Sequence, residues 1–135
     1  MRLRKCAVLA VVFAAACAPQ VDVSDTLAVT GTADFTFTPR VVTVPSNDTL
    51  TLTFTAEGTA HTYVVKDAIQ DGEIDVSDGL LTQRATGPND IIVAEADAGE
   101  TVTVTFTMSE RGVYLVYCML PEHRENGMFG TLIVE

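Results

Sequence analysis

The sequence predicts an all-β domain that folds as a β-sandwich of seven or eight short strands. Three runs, at residues 35–38, 49–55 and 101–108, alternate apolar side chains with threonine or another polar residue. Alternation with a period of two is typical of strands that bury one face and leave the other in water. Shorter apolar runs lie at 40–44, 61–65, 91–95, 112–118 and 130–134, separated by Gly, Pro, Asn and Asp. This pattern favours a sandwich over a helical bundle.

The first sixteen residues have the pattern of a secretory signal. Arg2, Arg4 and Lys5 precede an apolar run at 7–16, which is too short to span a bilayer. Cys17 follows three alanines and resembles the lipidated cysteine of bacterial lipoproteins. The alternative is ordinary signal cleavage without a lipid. In both cases we expect an exported protein in the periplasm or at the cell surface, and with the lipid a membrane-tethered one.

The remainder is long enough for one domain with a hydrophobic core and too short for two. Residues 17–32 are polar and predict a flexible tether, although an edge strand is the alternative reading. The domain itself is expected at 33–135. Residues 66–90 are acidic, contain three glycines and a proline, and predict a surface insert with a short helix near Leu80 and Leu81.

The charge of the chain argues against a nucleic-acid partner. Eight basic and eighteen acidic residues give a net charge of −10. Loss of the signal removes three basic residues and leaves five against eighteen, a net charge of −13. A surface this acidic repels nucleic acid and favours cationic partners, and it also keeps a protein soluble without any partner.

Of the three cysteines, one lies within the predicted domain. Cys6 leaves with the signal and Cys17 lies at the terminus of the mature chain, so Cys118 is the one cysteine in the folded body. A lone thiol in an oxidising compartment has no disulfide partner. Metal ligation and burial as a small apolar group are the two stable outcomes.

The segment after the predicted strand 112–118 contains a thiol, an imidazole and a thioether at equal spacing. Four residues separate Cys118 from His123, and four separate His123 from Met128. The other histidine, His61, begins an upstream strand. One Cys, two His and a weak axial Met are the ligands of a mononuclear copper site. Since Val116 and Cys118 share a strand face, the thiol points inward if Val116 does. Each residue alone could equally be part of the core.

The chain resembles the cupredoxin family, the blue copper proteins, over about residues 33–135. The resemblance rests on the Phe-Thr-Phe-Thr-Pro segment 35–39, on His61, on the Gly-Val-Tyr segment 112–114 and on the loop 117–128. It implies a Greek-key β-sandwich or barrel that holds one copper ion. By this likeness the copper ligands are His61, Cys118, His123 and Met128.

The resemblance also implies roles for neighbouring residues. Thr62 matches a position where family members place a polar side chain that braces the ligand loop. An apolar patch around the edge of His123 could dock a partner, with simple packing as the alternative, and it comprises Met119, Leu120, Pro121 and Phe129. The sequence departs from the family at Glu122, where glycine is common, and in the hairpin 46–48, which has no glycine.

The function implied is one-electron transfer by copper that cycles between Cu(I) and Cu(II). The expected partner is a transiently bound cytochrome, oxidase or other copper protein, and the chain is expected to be a monomer. The alternative is extracytoplasmic copper buffering or delivery without electron transfer. A self-contained copper enzyme is not expected, since a second copper centre would need more histidines than the two present.

Overall fold

The computed structural model describes residues 23–68, 74–77 and 89–135, with backbone alone at 74–77. These residues form ten strands: β1 (Thr26–Gly31), β2 (Phe37–Thr38), β3 (Val41–Val44), β4 (Thr49–Ala56), β5 (His61–Val65), β6 (Ile74–Ser77), β7 (Ile91–Ala96), β8 (Thr101–Met108), β9 (Gly112–Tyr117) and β10 (Phe129–Val134). Among the described residues there is no helix, and so none that is long and apolar enough to cross a membrane.

The strands form two five-stranded sheets, which confirms the predicted all-β sandwich. Sheet A has the order β2-β1-β4-β8-β6 and sheet B the order β3-β10-β9-β5-β7. Most neighbours are antiparallel, but β1 runs parallel to β4 and β3 runs parallel to β10. Both parallel pairs join segments that are distant in sequence.

The core lies between the sheets and comes from the alternating apolar positions. In β4 the burial alternates along the strand, with Leu50, Leu52 and Phe54 fully buried. The rings of Phe37 and Tyr63 pack with centroids 5.1 Å apart, and Phe54 lies beside both. Aromatic and aliphatic burial of this kind supplies most of the favourable free energy of folding.

The prediction of a flexible tether over 17–32 is wrong for its second half. Residues 26–31 form β1, which lies inside sheet A and pairs with β4 along its whole length. The physical reason is that Leu27 and Val29 alternate with exposed positions and are buried in the core. Residues 17–22 lie outside the described part of the chain.

The surface insert contributes a strand to the sheet, which the sequence analysis did not predict. Residues 74–77 form β6, which pairs with β8 at the edge of sheet A. The described ends of the insert are tied together, since Asp67 N–H donates to Asp90 Oδ1 at 2.8 Å and Tyr117 O–H donates to Asp90 Oδ2 at 2.6 Å. The helix predicted near Leu80 and Leu81 falls outside the described residues.

The antiparallel register of sheet B positions the predicted ligands. Val64 of β5 pairs with Tyr117 of β9, so the start of β5 lies beside the loop that follows β9. His61 begins β5, and Cys118 follows the last residue of β9. The register therefore brings both to the same end of the sandwich.

Candidate metal centre

Three side chains from two distant parts of the sequence converge at this end of the sandwich. The ligand atoms of His61, Cys118 and His123 all lie within 4.8 Å of one another. His61 Nδ1 is 3.2 Å from His123 Nδ1, and Cys118 Sγ is 3.4 Å from the same His123 nitrogen. His61 and Cys118 have no solvent exposure, and His123 is 9 % exposed.

His61 is oriented by the backbone behind it. Its Nε2 lies 3.0 Å from the carbonyl oxygen of Glu57, and because a carbonyl only accepts, this nitrogen is the one that carries the proton. Nδ1 is then left with a free lone pair that faces Cys118 and His123. Burial is the main cause that lowers the pKa of His61, with the nearby His123 adding to it. The neutral, metal-binding form of the ring is therefore favoured.

Cys118 reaches the site through the alternation of β9. Val116 and Cys118 both lie in the main core cluster, whereas Tyr117 between them packs with Val64 and Ile92 in a separate cluster, as the period-two rule predicts. Two groups of Thr62 donate toward the sulfur, the backbone N–H at 3.4 Å and the hydroxyl at 3.6 Å. Donors aimed at sulfur stabilise a thiolate, which is the form that binds metal.

Thr62 also holds the ligand loop. Its Oγ1 accepts a hydrogen bond of 2.9 Å from the N–H of Met119. One hydroxyl therefore links the start of β5 to the residue after Cys118 and contacts the sulfur as well.

His123 lies in a chain of turns between Cys118 and Met128. Its N–H donates to the carbonyl of Leu120 at 3.2 Å, and its own carbonyl accepts the N–H of Met128 at 3.0 Å. The ring of Phe35 packs edge-on against the imidazole, with centroids 4.6 Å apart. The loop hydrogen bonds and this ring contact fix where the imidazole points.

Met128 is fully buried behind the histidines, and strand β1 closes the space on its far side. A Cβ added to Gly31 would lie 2.8 Å from both His61 Cδ2 and Met128 Cε. Real Cβ atoms are not found this close to other heavy atoms, so β1 can approach the site only because residue 31 has no side chain.

Neither the role of Gly31 nor the contact of Phe35 with His123 is among the predictions from sequence. An isolated glycine at the end of an alternating run is a signal of close backbone approach that could have identified Gly31.

Two departures from the family pattern fall on unusual backbone. Glu122 has φ of +69° and Asn47 has φ of +62°. These values lie in the left-handed region that glycine adopts without strain. Both positions therefore adopt a conformation typical of glycine with a non-glycine residue, and the strain is larger for Glu122 because asparagine tolerates this region better.

The spacing of the donor atoms fits a single metal ion. Zinc, which is similar in size to other first-row transition-metal ions such as copper, binds nitrogen ligands at about 2.0 Å and thiolate ligands at about 2.3 Å. Two such ligands on one ion lie at most about 4 Å apart, so separations of 3.2 and 3.4 Å are compatible with a shared ion. Two imidazole nitrogens with one thiolate, beside a thioether, are the donor set that suits copper.

A β-sandwich with a buried Cys and two His gathered at one end defines a mononuclear metalloprotein, and its donors select copper. A comparison with protein families matches residues 23–135 to "Copper binding proteins, plastocyanin/azurin family". The chain therefore belongs to the plastocyanin/azurin family of copper-binding proteins, and its cofactor is copper. The match begins at residue 23, which agrees with the position of β1 inside the fold.

Three solved auracyanin structures are similar to this chain. Dithionite-reduced auracyanin from the photosynthetic bacterium Roseiflexus castenholzii is 26 % identical, with a TM-score of 0.60 over 84 % of this chain and 99 % of that one. Auracyanin B is 27 % identical, with a TM-score of 0.61 over 82 % and 88 %. Auracyanin A from Chloroflexus aurantiacus, at 24 % identity and a TM-score of 0.58 over 82 % and 98 %, shares the fold. No curated protein sequence matches the chain significantly.

Proposed function

We propose that this protein shuttles single electrons between redox partners outside the cytoplasm, with His61, Cys118, His123 and Met128 as the copper ligands. The observation that carries the proposal is the convergence of three buried donors that are already held in place by neighbouring groups. When bound, copper supplies a centre that accepts and releases one electron. The side chains contribute a water-free site whose geometry is fixed before the metal enters.

The rigidity of the ligands favours electron transfer over copper delivery. His61 is held by Glu57, the sulfur by Thr62, and the far side is closed by β1 at Gly31. A carrier that hands over its metal needs ligands that can open, whereas those of this site have almost no contact with solvent. The same fixed geometry lowers the structural change that accompanies a change of oxidation state.

The surface beside His123 supports transient docking of a protein partner. Met119 is 36 % exposed and Phe129 41 % exposed, Pro121 is exposed and Leu120 is partly buried. Because His123 retains slight exposure among these side chains, its ring is the ligand nearest to a docked cytochrome, oxidase or copper protein. A small apolar surface of this kind suits a weak, fast-exchanging complex.

We also propose that the protein is exported and anchored to a membrane. The basic and apolar leader supports secretion, and Cys17 supports attachment to the membrane by a lipid. The domain is proposed to act as a monomer. No catalytic role is proposed, because the site has one set of ligands and no second metal cluster among the described residues.

The test is a visible absorption spectrum recorded after cupric ion and then ascorbate are added. Electron transfer predicts an intense thiolate–copper band that bleaches on reduction and returns on reoxidation. Cys118→Ser should remain folded and lack the band. A protein that binds copper without this band, or a Cys118→Ser variant that keeps the band, would contradict the assignment.

A further inference from the structure

The two outer faces of the sandwich differ in chemistry. On sheet A, β4 and β8 oppose threonine with threonine in four successive cross-strand pairs: Thr49 with Thr107, Thr51 with Thr105, Thr53 with Thr103 and Thr55 with Thr101. The turns around this sheet carry acidic residues: Asp25, Asp34, Asp48, Glu57 and Glu100. This face is polar and bordered by negative charge.

On its β3-β10-β9 part, the outer face of sheet B exposes aliphatic side chains instead, whereas Val64, Ile92 and Tyr117 form a separate buried cluster. Val113 is 73 % exposed and Val41 is 54 % exposed. Ile133 pairs with Val113 across the strands, and Thr131 lies between Val41 and Leu115. We call the group Val41, Val113, Leu115 and Ile133 the aliphatic face. It extends along β9 away from the metal centre, since Val113 lies at the opposite end of that strand from Cys118.

The cations of the described residues also gather around sheet B. All four lie at strand ends or loops of that sheet: Arg40, Lys66, Arg111 and Arg124. Arg40 stacks over the ring of Phe129 at 5.2 Å, and Arg124 over Tyr117 at 4.6 Å. Eight acidic residues also lie on the strands or loops of sheet B, so this side keeps a negative charge: Asp67, Asp90, Glu95, Asp97, Glu110, Glu122, Glu125 and Glu135. Among the described residues, sheet B is nevertheless the side whose cations can approach lipid phosphate groups.

The N-terminal segment enters the domain at the edge of sheet B. Ser24 N–H donates to the carbonyl of Thr43 on the edge strand β3, two residues from Val41. Val23, just before it, is 45 % exposed. An extended chain spans at most about 3.4 Å per residue, so the six residue-to-residue steps from Cys17 to Val23 reach no further than about 20 Å. A lipid on Cys17 would therefore hold this edge of the domain close to the bilayer.

We propose that the aliphatic face of sheet B lies against the lipid bilayer and that the threonine face of sheet A points into solvent. The inference rests on the proposed lipid anchor at Cys17. Because the anchor makes contact intramolecular, a weak apolar interaction is enough to orient the domain. In this orientation the end that carries His123 points along the membrane plane, where an integral redox partner can reach it. Phe129, which shares a strand face with Ile133, then lies on the membrane side of the docking patch.

The chain contains no tryptophan, so the fluorescence of one introduced tryptophan can be measured without a background from others. This makes a direct test possible. The full chain is expressed with its leader, purified from membranes and reconstituted in phosphatidylcholine vesicles with brominated acyl chains. Val113→Trp reports from the aliphatic face, and Thr103→Trp is the matched control on the outer face of sheet A. The emission is recorded in the reduced protein, and flotation with the vesicles measures the anchor, with Cys17→Ser as its control.

The proposal predicts that the fluorescence of the Val113→Trp variant shifts to the blue and loses most of its intensity in brominated vesicles. The fluorescence of the Thr103→Trp variant should change little. A second reporter, Val41→Trp, should be quenched in the same way and released by the additional change Val113→Glu. Flotation with equal quenching of Val113→Trp and Thr103→Trp would overturn the orientation alone. Loss of flotation in the unmodified chain would overturn the anchor and this inference together, while the copper absorption band tests the electron-transfer proposal separately.

Discussion

The contact between strand β1 and the metal centre can be tested at Gly31. Replacement by alanine places a Cβ 2.8 Å from His61 Cδ2 and from Met128 Cε. Favourable contacts between carbon atoms lie at about 3.5–4.0 Å, so the neighbours must move by about 1 Å. The His61 ring is held by Glu57 and by the strand, whereas the end of the Met128 side chain is flexible. Most of the displacement is therefore expected at Met128.

Overpacking of a close-packed core by one methyl group costs about 1–3 kcal/mol. For a domain of this size each kcal/mol lowers the melting temperature by about 4 °C, so Gly31→Ala should lose about 4–12 °C. The movement of Met128 should also change the energy or intensity of the copper absorption band and the reduction potential, since a shifted axial ligand alters the site.

The assay is thermal unfolding of the copper-free protein together with the visible spectrum of the copper form. Gly112→Ala is the matched control, because Gly112 is also a strand glycine and its added Cβ would meet Tyr114 at an ordinary 3.6 Å. This control should change the stability by no more than about 0.5 kcal/mol and leave the spectrum unaltered. If Gly31→Ala behaves like Gly112→Ala, β1 does not press on the metal centre and the reasoning fails.

Three further predictions concern the site itself. Met128→Gln should lower the reduction potential and Met128→Leu should raise it, because the axial ligand tunes the potential; voltammetry that finds both unchanged would remove Met128 from the ligand set. Thr62→Val removes the hydroxyl that faces Cys118 Sγ at 3.6 Å and accepts the N–H of Met119. It should lower the reduction potential of the copper site, and it should lower the free energy of unfolding by about 1–3 kcal/mol. Thr62→Ser should restore both, and a serine variant as impaired as valine would show that the methyl group matters instead. The pKa of His61 is lowered below 6.5 in the folded, copper-free protein, so the contribution of the neutral ring to stability is complete above pH 6.5 and is lost as the pH falls toward the folded-state pKa. Urea unfolding of the copper-free protein between pH 7.5 and about pH 5 should show this loss of stability. The His61→Gln variant should lose less stability over the same range.

Properties that depend on local sequence were predictable. The alternation of apolar residues with threonine in β4 and β8 predicts strands, because a period of two places every second side chain on one face. The loop ligands are equally local, since Cys118, His123 and Met128 lie within eleven residues. Together with the distant His61 they supply one thiol, two imidazoles and a thioether, and this set of donors was enough to predict copper.

The place of β1 could not be predicted in the same way. The sequence predicts a tether there because a short, polar segment after a signal has little to distinguish it from a linker. Its burial depends on parallel pairing with β4, a partner more than twenty residues away. The strand at 74–77 was missed for a similar reason, since its pairing with β8 is also non-local.

The sequence by itself determined the class of fold and indicated copper, because side-chain periodicity is a local property and the candidate donors can be recognised by residue type. Only the tertiary structure decided how the donors are held. The carbonyl of Glu57 selects the proton position on His61, the hydroxyl of Thr62 links β5 to the ligand loop, and Gly31 lets β1 close the site. Each of these contacts joins different elements, so each exists only once the register between the strands is set.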